Sequence, residues 1–200
     1  MKIYSINVND LSDEELRLGF EQMSDERKES VMRMQNKKKR NLRICADALC
    51  RKAISEFCGV KTDEIQIALS PFGKPYIKNL PVYFSISHSG DLAVCAVSNE
   101  EIGIDIEQIR QVHPRIHEKF CTESEAEYIR TTENGIFKIW TLKEAYFKCI
   151  GTGLGDDIKS VSFSVAGDKI TCSKNGFELS FAYIEKGYVC SVCKKAIQQQ

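Results

Sequence analysis

The sequence predicts an α+β fold made of two similar halves, because the same order of patterns occurs twice along the chain. Each half begins with a segment that alternates like a strand, at residues 2–8 and 102–107, and continues with helical periodicity before further alternating segments. Helices followed by runs of strands are typical of antiparallel sheets with helices packed against them. No linker separates the halves, so we divide the 200 residues into lobes 1–101 and 102–200 that form one rigid unit.

The first half is predicted to hold two helical regions between strands. After the strand at 2–8, the segment Ser12-Asp-Glu-Glu15 has the form of a capping box and predicts the start of a helix. Helical periodicity then predicts one long helix near 24–58. Further strands are expected near 65–69, 82–87 and 92–98.

The second half opens with the strand 102–107, which we expect to continue an antiparallel meander begun by 82–87 and 92–97. The hairpin-like break at His88-Ser-Gly-Asp91 separates the first two of these strands. Helices follow near 114–130 and 135–150, and strands near 160–165, 169–173, 176–184 and 187–194. The last residues, 198–200, are predicted to form a loose tail.

The most informative motif is the run Ile102-Gly-Ile-Asp-Ile-Glu107. Side chains alternate between the faces of a strand, so its three isoleucines point into a core while Asp105 and Glu107 share the other face. Two carboxylates on a stiff strand suit a hard cation such as Mg²⁺, which prefers oxygen ligands. A solvated acidic face would have the same pattern, and the spacing alone leaves both interpretations open.

A second motif, Trp140-Thr-Leu-Lys-Glu-Ala-Tyr-Phe-Lys148, has helical spacing. Glu144 and Lys148 are neighbours on one face, where Glu144 could be a third oxygen ligand and Lys148 could meet a phosphate. They could equally be a surface ion pair that stabilises the helix by about 0.2–0.5 kcal/mol, and Lys143 could be an exposed residue without a specific role.

A third motif supplies hydrogen-bond donors for an anion. Gly73 and Pro75 mark a tight turn that fixes the direction of Lys74. Ser87 and His88 lie where a strand ends, and both can donate to a phosphate. A histidine in this position is also compatible with a structural or surface role.

In this order and spacing, the motifs resemble those of the 4′-phosphopantetheinyl transferases of the Sfp type, and the resemblance covers nearly the whole chain. It rests on the three motifs above together with Phe120-Cys-Thr-Glu-Ser-Glu125 and Gly151-Thr-Gly-Leu154. The resemblance implies two pseudo-symmetric lobes with the active site between them, acting as a monomer. It also implies that the phosphopantetheine arm of coenzyme A moves to a serine of an apo acyl or peptidyl carrier protein, with release of adenosine 3′,5′-bisphosphate.

The resemblance also implies roles for individual residues. Asp105, Glu107 and Glu144 would hold Mg²⁺, with Mn²⁺ as an alternative, and Lys148 would stabilise charge on the phosphoryl group. The other expected coenzyme A contacts are Arg27, Arg43, Lys74, Pro75, Ser87 and His88. For the base that takes the proton of the serine, two candidates stay open, Glu125 and a metal-bound water held by Glu107. Thr122-Glu-Ser-Glu125 also has the form of a capping box, in which Glu125 would be structural.

Composition narrows the class of function. The 28 basic and 28 acidic residues balance, which disfavours a general nucleic-acid binder, although residues 27–52 are strongly basic and suit a nucleotide or an acidic carrier. Nine scattered cysteines, an odd number, favour reduced thiols, and neither a signal peptide nor an apolar membrane span is evident. We therefore expect a cytoplasmic protein without a membrane partner.

Two other functions remain alternatives at this point. One is a catalytically silent homologue that only binds carrier proteins, against which the joint presence of Asp105, Glu107, Glu144 and Lys148 argues. The other is a Mg²⁺-dependent hydrolase of nucleotide pyrophosphates, which would need a site to orient water rather than a docking surface for a protein.

Overall fold

Each half of the chain folds into helices packed on a three-stranded antiparallel sheet, which confirms the α+β prediction. The computed structural model describes residues 1–113, 115–155 and 157–196. The helices and strands of the first half are β1 (Lys2–Asn7), α1 (Asp13–Glu21), α2 (Asp25–Met32), α3 (Lys37–Cys58), β2 (Ile67–Leu69), β3 (Pro75–Ile77), β4 (Tyr83–Ser89) and β5 (Leu92–Ser98). Those of the second half are β6 (Ile102–Gln108), α4 (Glu123–Thr131), α5 (Gly135–Ile150), β7 (Phe163–Ala166), β8 (Lys169–Cys172), β9 (Phe177–Phe181) and β10 (Tyr188–Lys195).

The two sheets share one strand order. In the first sheet β5 lies between β1 and β4, with Ile3 opposite Ala96. In the second sheet β10 lies between β6 and β9, with Ile104 opposite Val192. Each half therefore pairs its opening strand with its closing strand, and each adds a short hairpin, β2–β3 or β7–β8.

The predicted meander of three consecutive strands is wrong at its last step. β4 and β5 form the expected antiparallel pair, but β6 pairs with β10 instead of β5. The reason is that β5 already has β1 on its other edge, so both of its rows of backbone hydrogen-bonding groups are occupied. The pattern of a strand does not reveal which edge is taken.

The predicted helix boundaries also need correction at two places. The region 24–58 is two helices, because the side chain of Asn36 accepts a hydrogen bond from Lys39 N at 3.0 Å and starts α3 anew. The region 114–130 contains a short 3₁₀ turn at Ile116–Lys119, and α4 begins only after its N-cap Thr122. Pro114 and the expected tail 198–200 lie outside the described residues.

The core between the two sheets contains the isoleucines of β6. Ile102, Ile104 and Ile106 are at most 1 % exposed and pack in one cluster with residues of β5 and β10. α3 covers the outer face of the first sheet and α5 covers that of the second. The alternation read from the sequence of β6 is confirmed.

A row of serine hydroxyls joins the two halves. The free edge of β6 runs beside β4, and the backbone N–H groups of Ile104, Ile106 and Gln108 point toward it. Ser85, Ser87 and Ser89 accept hydrogen bonds from these three N–H groups in turn, at donor–acceptor distances of 3.1, 3.3 and 3.1 Å. We call this row the serine seam.

Gly103 allows α5 to lie directly against β6. A Cβ atom at this position would be 1.9 Å from Ala145 O and 2.4 Å from Cys149 N, both of them backbone atoms of α5. Any side chain would therefore push the helix away from the strand. Ala145 and Cys149 directly follow Glu144 and Lys148, so the same contact sets how closely these two residues approach β6.

Two properties of the described chain bear on the broad class of protein. All nine cysteines lie in the described ranges as free thiols, and most are buried. Within these ranges, no helix combines the length and the apolar character needed to cross a membrane.

We expect Gly103→Ala to lower the free energy of unfolding by about 2–3 kcal/mol, because the added methyl overlaps helix backbone that cannot move aside as a side chain can. Urea unfolding followed by circular dichroism measures the change. Gly155→Ala is the matched control, since a Cβ at Gly155 would meet no atom within 4 Å. Equal stability of the two variants would contradict the close approach of α5.

Candidate active site

A cavity of about 620 Å³ lies between the two halves of the chain, and both contribute its walls. It brings together nine of the residues singled out in the sequence, which are Arg27, Arg43, Lys74, Pro75, Ser87, His88, Asp105, Glu144 and Lys148. Glu107 and Glu125, the other two, are absent from its lining. Six of these nine residues come from the first half, whereas the acids Asp105 and Glu144 come from β6 and α5 of the second half, together with Lys148.

Asp105 is the centre of the acidic part. It is 5 % exposed, and its Oδ1 accepts hydrogen bonds from Lys148 Nζ at 2.6 Å and Ser87 Oγ at 2.7 Å. Its other oxygen, Oδ2, is buried without a hydrogen-bond partner among the described residues. Burial raises the pKa of Asp105, and Lys148 and Ser87 oppose the rise. An unpartnered buried carboxylate oxygen is costly unless a cation or a donor meets it.

Glu144 faces the same space from α5, one helical turn before Lys148. Burial and the nearby carboxylates of Asp105 and Glu107 raise its pKa to about 7, and Lys148 opposes the rise. Repulsion between acids that share a pocket is relieved by a divalent cation. The donor set of Asp105 and Glu144, with one orphaned oxygen, therefore fits a hard cation such as Mg²⁺.

Glu107 is engaged elsewhere. Its Oε2 accepts hydrogen bonds from Ser89 Oγ at 2.8 Å and from Arg110 Nη1 at 2.7 Å. Within the described ranges, no three His, Cys, Asp or Glu side chains are arranged as ligands of one metal ion. The structure thus brings Asp105 and Glu144 to one cavity, while Arg110 holds the third predicted ligand.

Glu107 and Arg110 instead border a second, mostly apolar pocket of about 410 Å³. Its other walls include Val112, Ile116, Phe120, Phe137 and Trp140. Leu154 lines both this apolar pocket and the large cavity, so the two spaces are neighbours.

Cationic groups from the first half line the opposite part of the large cavity. Arg27 forms an ion pair with the buried Asp47, with Nε 2.7 Å from Oδ1. Lys74 Nζ donates to Cys149 O at 2.8 Å, at the carboxyl end of α5. His88 is exposed by surface area, yet desolvation at the cavity lowers its pKa and Arg43 lowers it further.

Glu125 is fully buried and has a structural environment. Thr122 N donates to its Oε2 at 2.8 Å, and Glu125 N donates to Thr122 Oγ1, so the predicted capping box is confirmed. Oε2 also lies 3.1 Å from Lys143 Nζ, and Oε1 accepts from Phe163 N at 3.0 Å. Both oxygens are occupied and neither reaches the cavity, which argues against Glu125 as a general base.

Lys143 is the most informative residue that the sequence analysis misjudged. It is 0 % exposed, rather than a surface residue. The helical spacing contains the signal, because Lys143 is four residues from both Ile139 and Phe147 and therefore lies within the apolar stripe of α5. The other residues missed were Asp47, Arg110 and the seam serines Ser85 and Ser89. The placement of Ser85, Ser87 and Ser89 at every second position was a signal for the serines, whereas the sequence offers no comparable pattern for Asp47 or Arg110.

We expect Glu144→Gln to stabilise the metal-free protein at pH 8. The pKa of Glu144 rises from an ordinary 4.5 to about 7 on folding, so its ionisation costs stability above pH 7 and costs nothing well below pH 4.5. Since solvent reaches part of the side chain, the gain should be on the order of 1–2 kcal/mol at pH 8 and smaller at pH 5.

Urea unfolding in EDTA at both pH values measures this gain, with Glu133→Gln, an exposed acid before α5, as the control. Unchanged or reduced stability of Glu144→Gln at pH 8 would contradict the crowding of acids.

Comparisons with known proteins agree with this geometry. Residues 101–193 match the family described as the 4′-phosphopantetheinyl transferase superfamily, and residues 10–100 match the family described as 4′-phosphopantetheinyl transferase, N-terminal. The boundary between the two matches falls beside the boundary between the halves.

Individual relatives cover most of the chain. The 4′-phosphopantetheinyl transferase gsp of Aneurinibacillus migulanus is 29% identical over 86% of this chain and 76% of its own length. The 4′-phosphopantetheinyl transferase Sfp of Bacillus subtilis is 28% identical over 96% and 92%. A further 4′-phosphopantetheinyl transferase of Bacillus subtilis is 31% identical over 84% and 78%. On these matches, this chain belongs to the 4′-phosphopantetheinyl transferases and is an enzyme of that class.

Proposed function

We propose that the large cavity binds coenzyme A and that the enzyme transfers its phosphopantetheine arm to a serine of an apo acyl or peptidyl carrier protein. The main support for this proposal is a contact between the two halves, in which Lys148 Nζ and Ser87 Oγ both donate hydrogen bonds to Asp105 Oδ1. A cation, a carboxylate and a hydroxyl from three different elements meet at one point of a cavity large enough for a nucleotide. This is where we place the pyrophosphate.

The cationic wall supports a second phosphate-binding point. Arg27, Arg43, Lys74 and His88 line the same cavity as the acids. Coenzyme A carries a ribose 3′-phosphate apart from its pyrophosphate, so a binding site needs two separate patches of donors. The ion pair with the buried Asp47 restrains Arg27 at the cavity, which lowers the entropic cost of binding a phosphate there. Pro75 and the turn before it shape the nucleotide side.

Asp105 and Glu144 are the residues that would hold Mg²⁺ or Mn²⁺, and Glu107 completes the predicted ligand set. When bound, the cation supplies Lewis acidity and neutralises charge at the pyrophosphate. The orphaned Oδ2 of Asp105 and the crowding of acids around Glu144 support this assignment. The salt bridge from Arg110 to Glu107 is the contact that would have to yield for Glu107 to take part.

The chemistry we propose is a single phosphoryl transfer. The serine oxygen of the carrier attacks the phosphorus that bears the pantetheine arm, and the bond from that phosphorus to adenosine 3′,5′-bisphosphate breaks with the electron pair going to the leaving oxygen. Lys148, already directed at Asp105, stabilises the negative charge on the phosphoryl oxygens. We assign the serine proton to a water hydrogen-bonded to Glu107, the candidate that is left because both oxygens of Glu125 are already engaged by Thr122, Lys143 and Phe163.

We propose that the carrier protein docks over the apolar pocket. This pocket adjoins the large cavity at Leu154, has Glu107 on its border, and is rimmed by Arg110 and Lys119. An apolar centre with a cationic rim complements an acidic partner. We further propose that 1–101 and 102–200 act as two lobes of one rigid unit and that one chain contains the whole site as a monomer.

The decisive experiment uses the purified protein, coenzyme A, Mg²⁺ and an apo carrier, with the mass of the carrier as readout. A gain of one phosphopantetheine arm supports transfer. Cleavage of coenzyme A without any carrier would instead indicate a pyrophosphate hydrolase, and carrier binding without either reaction would indicate a silent homologue.

We expect Asp105→Asn to reduce carrier modification at least about 100-fold, because one charge that holds the cation and directs Lys148 is lost. Thermal unfolding should show a folded protein. Asp168→Asn, at an exposed turn between β7 and β8, is the control for a lost carboxylate. Modification by Asp105→Asn at the unaltered rate would remove the proposed role of this residue.

Lys148→Ala should lower kcat about 100-fold and raise the KM for coenzyme A by less than about 5-fold, since charge stabilisation is needed most in the transition state. Steady-state kinetics with varied coenzyme A separates the two constants, and Lys169→Ala, on the exposed hairpin, is the matched control. An effect confined to KM would show that Lys148 contributes to ground-state binding alone.

A further inference from the structure

The ion pair between Glu125 and Lys143 is fully buried and has no part in the proposed chemistry. Both side chains are 0 % exposed, and Lys143 Nζ lies 3.1 Å from Glu125 Oε2. A buried ion pair rarely adds net stability over apolar packing, because desolvating both charges offsets their attraction. Its presence in the core of the second half therefore calls for another explanation.

The two residues hold one stretch of backbone from two sides. Lys143 Nζ donates to Ile158 O at 3.1 Å and to Val161 O at 2.6 Å. Glu125 Oε1 accepts from Phe163 N at 3.0 Å. All three donors of the ammonium are thereby matched, and the backbone from 158 to 163 is fixed to α5 and to the start of α4.

The stretch that they hold follows, in the chain, a segment that lines the large cavity. The chain leaves α5 at Gly151, whose N–H donates to Phe147 O at 2.9 Å, and its residues Gly151, Gly153 and Leu154 line the large cavity. Leu154 and Ile158 also line the apolar pocket. The segment 151–155 thus borders the large cavity and, at Leu154, also the apolar pocket; α5 anchors its start, and Lys143 holds the backbone that follows its end.

We propose that Lys143 and Glu125 are positioning residues that fix the segment 151–155 as the common wall of the cavity and the apolar pocket. An apolar side chain in place of Lys143 could fill the same volume, but it could not donate to two backbone carbonyls at once. The wall therefore requires the hydrogen bonds from Lys143 to the backbone, and not only a side chain that fills the buried volume. The identity of the substrates in this proposal rests on the proposed function; the placement of the wall does not.

The test replaces the charged pair by a neutral one of similar volume, in the double variant Lys143→Met/Glu125→Gln. Removing both charges avoids an uncompensated buried ion, so the fold should survive. Hydrogen exchange of the full chain without substrates should speed up at least about 10-fold in peptides covering 147–163 and stay unchanged in β1, β4 and β5. The KM for coenzyme A should rise about 10-fold, with kcat within about 3-fold of the unaltered enzyme.

Two further variants make the result specific. Arg17→Met/Glu14→Gln removes an exposed ion pair on α1 and should change neither readout. Lys143→Gln/Glu125→Gln also removes both charges but keeps a side-chain donor for the backbone carbonyls and an acceptor for Phe163 N, so it should speed exchange in the same peptides by a smaller factor, about 3-fold. This variant decides the outcome if Lys143→Met/Glu125→Gln fails to fold.

Exchange that rises evenly across the chain, or not at all in 147–163, would overturn the proposal, as would an unchanged KM in a double variant with a loosened wall. Because exchange is read without substrates, it decides the positioning role even if the unaltered protein fails to modify any carrier. That failure would count against the proposed function alone.

Discussion

The serine seam is the constraint on which the arrangement of this protein depends. β6 pairs with β10 on one edge, and its other edge would leave buried N–H groups without acceptors if β4 presented apolar side chains there. An unsatisfied buried donor costs about 1–3 kcal/mol. Three hydroxyls remove that cost and at the same time fix β4 and β6 in one relative position. Among the described residues the two sheets share no backbone ladder, and these hydrogen bonds link them.

The seam also orients side chains of the candidate active site. Ser87 accepts from the backbone of β6 and donates its own proton to Asp105, and Ser89 does the same toward Glu107. The hydroxyls that join the halves therefore orient the two acids of β6. Gly103 contributes from the other side, since it lets α5 approach until Lys148 reaches Asp105. The bonds that join the two halves and the acids of the candidate site therefore lie on the same strand, β6.

Local patterns predicted much of this from the sequence. Alternation along β6 identified its buried isoleucines, the two capping boxes marked α1 and α4, and helical spacing placed Glu144 and Lys148 on one face. What failed depended on distant partners. The edge partner of β6, the capture of Glu107 by Arg110 and the burial of Lys143 are decided by residues elsewhere in the chain. Glu125 shows this difference between local and distant partners. The sequence predicted its capping box with Thr122, three residues away, but did not predict its ion pair with Lys143.

The spacing of the seam specifies one alignment of the two halves. The bonded residues are spaced by two, and the offset between each serine and its donor is constant, so β4 and β6 run parallel in a single alignment. A slip by one residue would bring Phe84, Ile86 and His88 to the N–H groups, and two of those side chains cannot accept a hydrogen bond. A misaligned arrangement would thus leave several N–H groups without acceptors at once. The seam therefore specifies how the first half packs against the second.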